Sequence, residues 1–100
     1  DMLRMATVGG ASAIGGDPLG VVEAGKKADV ILLDIRQPHL TPTRNLAVTL
    51  AYCGHGHDVT DSIIDGRVVM RDRQVLTLDE EQVMADAACH MREAFARANI

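Results

Sequence analysis

The feature that most constrains the fold is a polar turn that leads directly into a short aliphatic run. Gly25-Lys26-Lys27 forms the turn, and Val30-Ile31-Leu32-Leu33 follows it and ends at Asp34. Four consecutive large aliphatic residues between charged ones do not alternate in polarity, which is typical of a strand covered on both faces. The sequence therefore predicts a buried strand over residues 29–34, and the rest of the chain has to supply its cover.

The segment before this strand predicts a helix. Small and apolar residues recur at three- and four-residue spacing over residues 2–14, and Gly15-Gly16 is expected to end the helix with one glycine in the left-handed conformation. Gly9-Gly10 inside the helix is expected to allow the close approach of a neighbouring element. Residues 17–20, Asp-Pro-Leu-Gly, predict a turn that leads to the strand.

The segment after the strand predicts an irregular stretch, a short helix and a hairpin. Residues 36–44 contain Pro38 and Pro42, which restrict the backbone before them, and Asn45 can cap a short helix. Residues 59–64 and 67–71 are expected to pair through an Asp-Gly turn, because both central residues of that turn take positive φ. Residues 75–78 are expected to be extended.

The clearest start of a helix lies at residue 79. Asp79 can cap the helix, Gln82 can reach back, and the acidic Glu80 and Glu81 favour the positive end of the helix dipole. An apolar stripe then runs along one face of a closing helix over residues 79–98. The stripe consists of Met84, Ala87, Ala88, Met91, Phe95 and Ala98.

Charge and composition exclude several classes of function. The net charge is −4 over 100 residues, and no basic patch is interleaved with aromatic residues, so nucleic acid is not an expected partner. No apolar run approaches the roughly 20 residues of a membrane span, and the first residues lack the apolar centre of a signal peptide. Cys53 and Cys89 have no metal-type spacing and are expected to be free thiols in the cytoplasm.

His55-Gly56-His57 is the strongest candidate for a site that the sequence offers. Two histidines at this spacing on a strand can share a metal, and Asp58 could join them. The glycine-rich surroundings instead favour a solvated loop, and Cys53 shows no feature that would make it a nucleophile with these histidines as base. His39 and His90 are interpreted as surface or boundary residues.

Other charged residues are interpreted as structural. The aspartates at strand ends and turns are expected to accept backbone hydrogen bonds, and the arginines near the hairpin are expected to lie on its solvated face. These residues are Asp29, Asp34, Asp61, Asp65, Arg67, Arg71 and Arg73. The sequence assigns no catalytic, cofactor-binding or metal-binding residue in this chain.

Several motifs together resemble the C-terminal segment of the amidohydrolase superfamily. They are residues 19–34 with their Gly-Lys-Lys-Ala-Asp run, Asp58-Val59, the Ile63–Val69 stretch around Asp65-Gly66, and Asp79-Glu80. Gln37-Pro38-His39-Leu40-Thr41-Pro42 narrows the resemblance to the branch of the triazine hydrolases (chlorohydrolase type) and the methylthioadenosine/S-adenosylhomocysteine deaminases.

This resemblance implies an α+β fold that is one part of a larger enzyme. Residues 1–16 would be the last helix of a (β/α)8 barrel that is not part of this chain, and residues 17–100 the C-terminal part of a partial β-sandwich with its closing helix. The implied chemistry is hydrolysis by a metal-activated water at a ring carbon that bears an amino group or a halide. The implied metal, zinc or iron, is held by barrel residues upstream of this chain.

Two hypotheses about the chain remain open at this point. In the first, it is a non-catalytic fragment whose partners are the barrel and the N-terminal sandwich strands. In the second, it is a stand-alone oligomerisation or accessory module, since an open sheet edge and an uncovered apolar face favour homo-oligomers. A third interpretation, a small metal-binding domain that uses His55 and His57, is not favoured.

Overall fold

A four-stranded antiparallel meander forms the centre of the molecule, in a computed structural model that describes residues 2–16 and 19–98. Neighbouring strands in the chain are neighbours in the sheet, so no crossover is needed. The strands are β1 (Val30–Leu33), β2 (Val59–Ile64), β3 (Arg67–Arg71) and β4 (Gln74–Val75). The described residues contain this single sheet, so the β-sandwich stays a prediction.

Two tight turns set the register of the meander. Asp65 and Gly66 have φ of 49° and 77°, and Ile64 pairs with Arg67 across them, which confirms the predicted Asp-Gly hairpin. Asp72 and Arg73 have φ of 48° and 63° between β3 and β4. Both residues of the second turn are therefore non-glycine residues with a left-handed backbone, a conformation that a Cβ atom makes unfavourable.

The predicted N-terminal helix is present over residues 2–13 and contains a π-helical centre at Met5–Gly9. Gly15 has φ of 73°, as expected for the residue that ends the helix. The N–H of Gly15 donates to the Ser12 carbonyl at 3.1 Å, and that of Gly16 donates to the Ala11 carbonyl at 2.8 Å. These bonds satisfy the last carbonyls of the helix. Asp17 and Pro18 of the expected turn lie outside the described residues.

Two capped helices follow, as predicted. In the central helix, Leu46–Cys53, the Asn45 side chain accepts a hydrogen bond from the Val48 N–H at 3.2 Å. In the C-terminal helix, Glu80–Ala98, Asp79 accepts one from the Gln82 N–H at 3.0 Å. The Gln82 side chain does not reach back; it donates to Asp86 one turn further along.

The close backbone approach expected at Gly9 and Gly10 occurs at Gly20 instead. A Cβ atom at Gly9 or Gly10 would meet only atoms of Arg4 or Met5 in the same helix. A Cβ atom at Gly20 would lie 2.9 Å from the Thr7 carbonyl oxygen. The segment that leads to β1 therefore passes directly against the N-terminal helix.

The cover predicted for β1 is not supplied by the described residues. Ile31 and Leu32 are 54% and 51% exposed, whereas Leu40 is the one buried hydrophobic residue among those described, at 1%. The total accessible surface is 8013 Å², against about 5,500 Å² for a compact protein of this mass. The radius of gyration is 18.2 Å, against about 13 Å for a compact domain of this length. Much apolar surface is thus left open.

The C-terminal helix keeps its apolar stripe exposed. Met84, Met91 and Phe95 are all open to solvent. Within residues 2–16 and 19–98, no helix combines the length and the apolar character that crossing a membrane requires.

Candidate functional site

Asp58 is the one buried polar or charged residue among the described residues. It ends a 3-10 turn, Gly56–Asp58, immediately before β2, and it is 2% exposed. Its carboxylate accepts a hydrogen bond from the His55 backbone N–H at 2.7 Å, and its own N–H donates to the His55 carbonyl at 3.0 Å. The Asp58 carbonyl accepts the N–H of Asp34, the residue after β1, at 2.8 Å. Its orientation is therefore fixed by backbone on two sides.

His39 reaches the same carboxylate from a distant part of the chain. It lies in the 3-10 turn Pro38–Leu40, which the buried Leu40 anchors against the central helix. The His39 Nε2 atom lies 2.9 Å from one carboxylate oxygen of Asp58 and 3.0 Å from the other. Because an ionised carboxylate only accepts hydrogen bonds, the Nε2 atom carries the proton. This contact joins the Pro-flanked segment to the start of β2.

The His55 ring completes a group of three potential ligands. Its centroid lies 4.8 Å from that of His39, with the ring planes tilted by 51°. One ligand atom from each of His39, His55 and Asp58 lies within 4.8 Å of the others. Both imidazoles are exposed, so the group opens to solvent. Two imidazoles and one carboxylate form a donor set that suits divalent zinc and similar ions.

The contacts of Asp58 favour its ionised form. The hydrogen bond from His39, followed by that from the His55 backbone, holds the pKa of the Asp58 carboxyl below its ordinary value of 3.8. Burial acts in the opposite direction on this pKa and is outweighed. A carboxylate held in this way remains available as a negatively charged ligand or as an anchor for a histidine.

The lowered pKa of Asp58 predicts a loss of stability in acid. The contribution of this carboxylate is complete above its unfolded pKa and disappears as the pH falls through the lower folded pKa. We therefore expect the wild-type melting temperature to fall more steeply below about pH 4 than that of Asp58→Asn, which cannot titrate there. Thermal melts between about pH 6 and pH 2.5 measure both slopes. Identical slopes would contradict the prediction.

Of the candidate histidine pair in the sequence, His55 and His57, one member lies in this group. His55 belongs to the group, but His57 does not, and the His57 carbonyl instead accepts a hydrogen bond from Arg73 Nε at 2.8 Å. The second histidine of the group is His39, which is exposed as expected, but whose contact with Asp58 the sequence does not indicate. Cys53 and His90 are exposed and lie outside the group.

Two of the strand-end aspartates, Asp29 and Asp34, accept backbone hydrogen bonds, as expected. The Asp34 carboxylate accepts hydrogen bonds from the Arg36 backbone N–H at 3.0 Å and from Gln37 Nε2 at 2.9 Å. The Arg36 backbone bond is the main cause that lowers the pKa of Asp34. Asp29 accepts the backbone N–H of Asp65 at 2.7 Å, which joins the start of β1 to the hairpin turn.

Comparison with known proteins decides the family. The family model described as the amidohydrolase family matches residues 1–69, more than two thirds of the chain. The chain belongs to the amidohydrolase family. The matched part of this amidohydrolase chain includes His39, His55 and Asp58 and extends into β3.

The relatives agree with the branch that the sequence motifs indicate. The chain is 52% identical over 87 residues to a 5-methylthioadenosine/S-adenosylhomocysteine deaminase of Pelotomaculum thermopropionicum, covering 87% of this chain and 20% of that protein. It is 45% identical over 98 residues to a 5'-deoxyadenosine deaminase of Methanosarcina acetivorans, covering 98% of this chain and 22% of that protein. The chain thus spans about a fifth of the length of these relatives.

Solved structures show the same relationship. An adenosine deaminase from Xanthomonas campestris with bound zinc matches with a TM-score of 0.87 and 33% identity, over 95% of this chain and 22% of that one. Atrazine chlorohydrolase from Arthrobacter aurescens, complexed with zinc, matches with a TM-score of 0.78 and 26% identity, over 87% of this chain and 19% of that one. The predicted resemblance to deaminases and chlorohydrolases is confirmed.

The described residues do not supply the ligand set that the resemblance implies for the catalytic metal. That set consists of histidines and an aspartate on barrel strands. In the ranges 2–16 and 19–98, the group of His39, His55 and Asp58 is the one potential metal cluster, and it lies in loops beside an antiparallel sheet.

Proposed function

We propose that this chain is the C-terminal part of a metal-dependent hydrolase that acts on ring C–N (amino) or C–Cl bonds. In this proposal, it supports the catalytic barrel structurally and is not itself catalytic. Deaminase relatives at 52% and 45% identity and the chlorohydrolase neighbour support this substrate class. Deamination of an adenine nucleoside, as in the names of those relatives, is the best-supported reaction.

The large exposed surface of the chain is the observation that most supports a structural role beside the barrel. The chain exposes about 2,500 Å² more than a compact protein of its mass, whereas one partner in a standard interface buries about 800 Å². An excess of this size fits a large, permanent neighbour. We propose that the neighbour is the barrel together with the N-terminal sandwich strands, with residues 1–16 as the last barrel helix and residues 17–100 in the sandwich.

Further parts of the proposal concern the whole enzyme. A divalent metal, zinc or iron, would act in the barrel, and the zinc in the two solved structures supports such an ion. The exposed apolar stripe of the C-terminal helix supports a homo-oligomer, and the free, exposed Cys53 and Cys89 fit a reducing cytoplasm. Neither nucleic acid nor a membrane is proposed as a partner.

The test compares three purified proteins from one gene. They are the complete polypeptide, the same polypeptide without residues 1–100 of this chain, and the 100-residue chain alone. Each is assayed for ammonia release from methylthioadenosine, S-adenosylhomocysteine and 5'-deoxyadenosine, and for chloride release from a chlorotriazine. We expect turnover by the complete polypeptide, a loss of at least about a hundredfold without the segment because its apolar contacts are lost, and none from the segment alone. Turnover by the 100-residue chain would overturn the proposal.

A further inference from the structure

We propose that His39, His55 and Asp58 form an accessory binding site for a divalent transition-metal ion such as Zn²⁺, separate from the catalytic metal of the barrel. The three side chains come from two segments, the Pro38–Leu40 turn and the loop that leads into β2. Their ligand atoms lie within 4.8 Å of one another in loops outside any barrel strand. This inference departs from the sequence-based expectation that the chain holds no metal ligand.

The contact between His39 and Asp58 is already close to the geometry of two ligands on one ion. Zn²⁺ binds imidazole nitrogen and carboxylate oxygen at about 2.0–2.2 Å, so tetrahedral ligands lie about 3.3 Å apart. The His39 Nε2 atom lies 2.9 Å from a carboxylate oxygen of Asp58. An ion can therefore replace the proton that these two groups share, and that proton is released to solvent. A shift of a few tenths of an ångström suffices for this pair.

The His55 ring supplies the third ligand by a small rotation. Because all three ligand atoms lie within 4.8 Å of one another, it has to approach by no more than about 1.5 Å to reach tetrahedral spacing. The His55 ring is exposed to solvent and contacts the ring of His39. Rotation about its side-chain bonds leaves the backbone of residue 55 in place. Water would complete the coordination on the open side of the site.

A backbone hydrogen bond fixes the orientation of the Asp58 carboxylate in the proposed site. The carboxylate accepts the His55 backbone N–H at 2.7 Å, which is the kind of outer contact that fixes a metal-binding carboxylate. The exposed imidazoles leave a path for an ion from solvent.

The His55 side chain separates this proposal from a purely structural role of the group. The hydrogen bond between His39 and Asp58 joins two segments of the fold and requires no side chain at position 55. Residue 55 bonds Asp58 through its backbone N–H and carbonyl, which alanine retains. His55→Ala therefore removes the ring, with its contact to His39, and keeps these two backbone bonds.

The experiment measures Zn²⁺ binding by the complete polypeptide that contains this chain, by calorimetry and by competition with a chromophoric chelator. His55→Ala is expected to weaken one equivalent of bound Zn²⁺ at least about tenfold. His57→Ala, which removes an exposed histidine two residues away, is the matched control and is expected to bind as the wild type does. Co²⁺ bound in place of Zn²⁺ should show visible absorption that His55→Ala changes and His57→Ala does not.

Two results would overturn the proposal. One is an unchanged Zn²⁺ affinity and stoichiometry in His55→Ala, and the other is an equal loss in His57→Ala. Far-UV circular dichroism of each variant checks that the fold is kept. The inference is independent of the proposed hydrolase function, because ion binding is measured directly and an enzyme without turnover would still give the result.

Discussion

Leu40→Ala is expected to lower the free energy of unfolding by about 2–5 kcal/mol, the range for buried leucines in other proteins. Leu40 is 1% exposed and lies where the Pro38–Leu40 turn meets the central helix. Truncation removes apolar contacts and leaves a cavity that the short turn can fill only in part. It also loosens the turn that presents His39 to Asp58, so the contact between the two segments should weaken.

Leu76→Ala is the matched control, because it deletes the same atoms from a leucine that is 56% exposed. We expect it to lower the free energy of unfolding by less than about 1 kcal/mol. Urea unfolding of the 100-residue chain, followed by far-UV circular dichroism, measures both variants. Equal losses at the two positions would show that Leu40 is not the centre of packing in this chain.

The local structure of this chain could be predicted from sequence because each signal and its structural response lie within a few residues. The sequence predicts that Asn45 and Asp79 cap helices, and their side chains accept hydrogen bonds from backbone N–H groups three residues later. The sequence predicts a two-residue turn at Asp65-Gly66, and both residues have positive φ. Caps and turns depend on the chemistry of single side chains, which the sequence states directly.

The site could not be predicted in the same way because its parts are distant in sequence. His39 and Asp58 are 19 residues apart, and the central helix lies between them. A nearer signal did exist, because His55 and Asp58 have the spacing at which a carboxylate bonds a backbone N–H three residues earlier. That spacing identifies Asp58 as an anchor but does not say which histidine reaches it.

The prediction of a covered β1 was wrong for the described chain for a different reason. The run of four aliphatic residues correctly indicates a strand whose two faces are apolar. The pattern cannot say which polypeptide segment covers those faces, and Ile31 and Leu32 remain half exposed here. An apolar run without cover is consistent with the proposed assembly into a larger body, and the chain spans about a fifth of the length of the deaminase relatives.

Gly20→Ala is the second substitution that we expect to lower the free energy of unfolding strongly. Gly20 lies in the segment that leads into β1. This residue has φ of 89°, and a Cβ atom there would lie 2.9 Å from both the Thr7 carbonyl oxygen and the Val8 Cα atom. Both atoms belong to the backbone of the N-terminal helix, so neither can rotate away. Gly20→Ala must therefore displace the helix or the segment, in addition to straining its own backbone.

Gly25→Ala isolates the backbone term, because Gly25 has nearly the same φ, 87°, and open space around its Cβ position. We expect Gly25→Ala to lower the free energy of unfolding by about 1–2 kcal/mol from left-handed strain alone. Gly20→Ala should lower it by about 2–5 kcal/mol, since overpacking adds about 1–3 kcal/mol. Urea unfolding of the two variants measures the difference. Equal losses would mean that the N-terminal helix does not pack against Gly20 in solution, and a larger loss at Gly20 would place that helix against the segment that leads into β1.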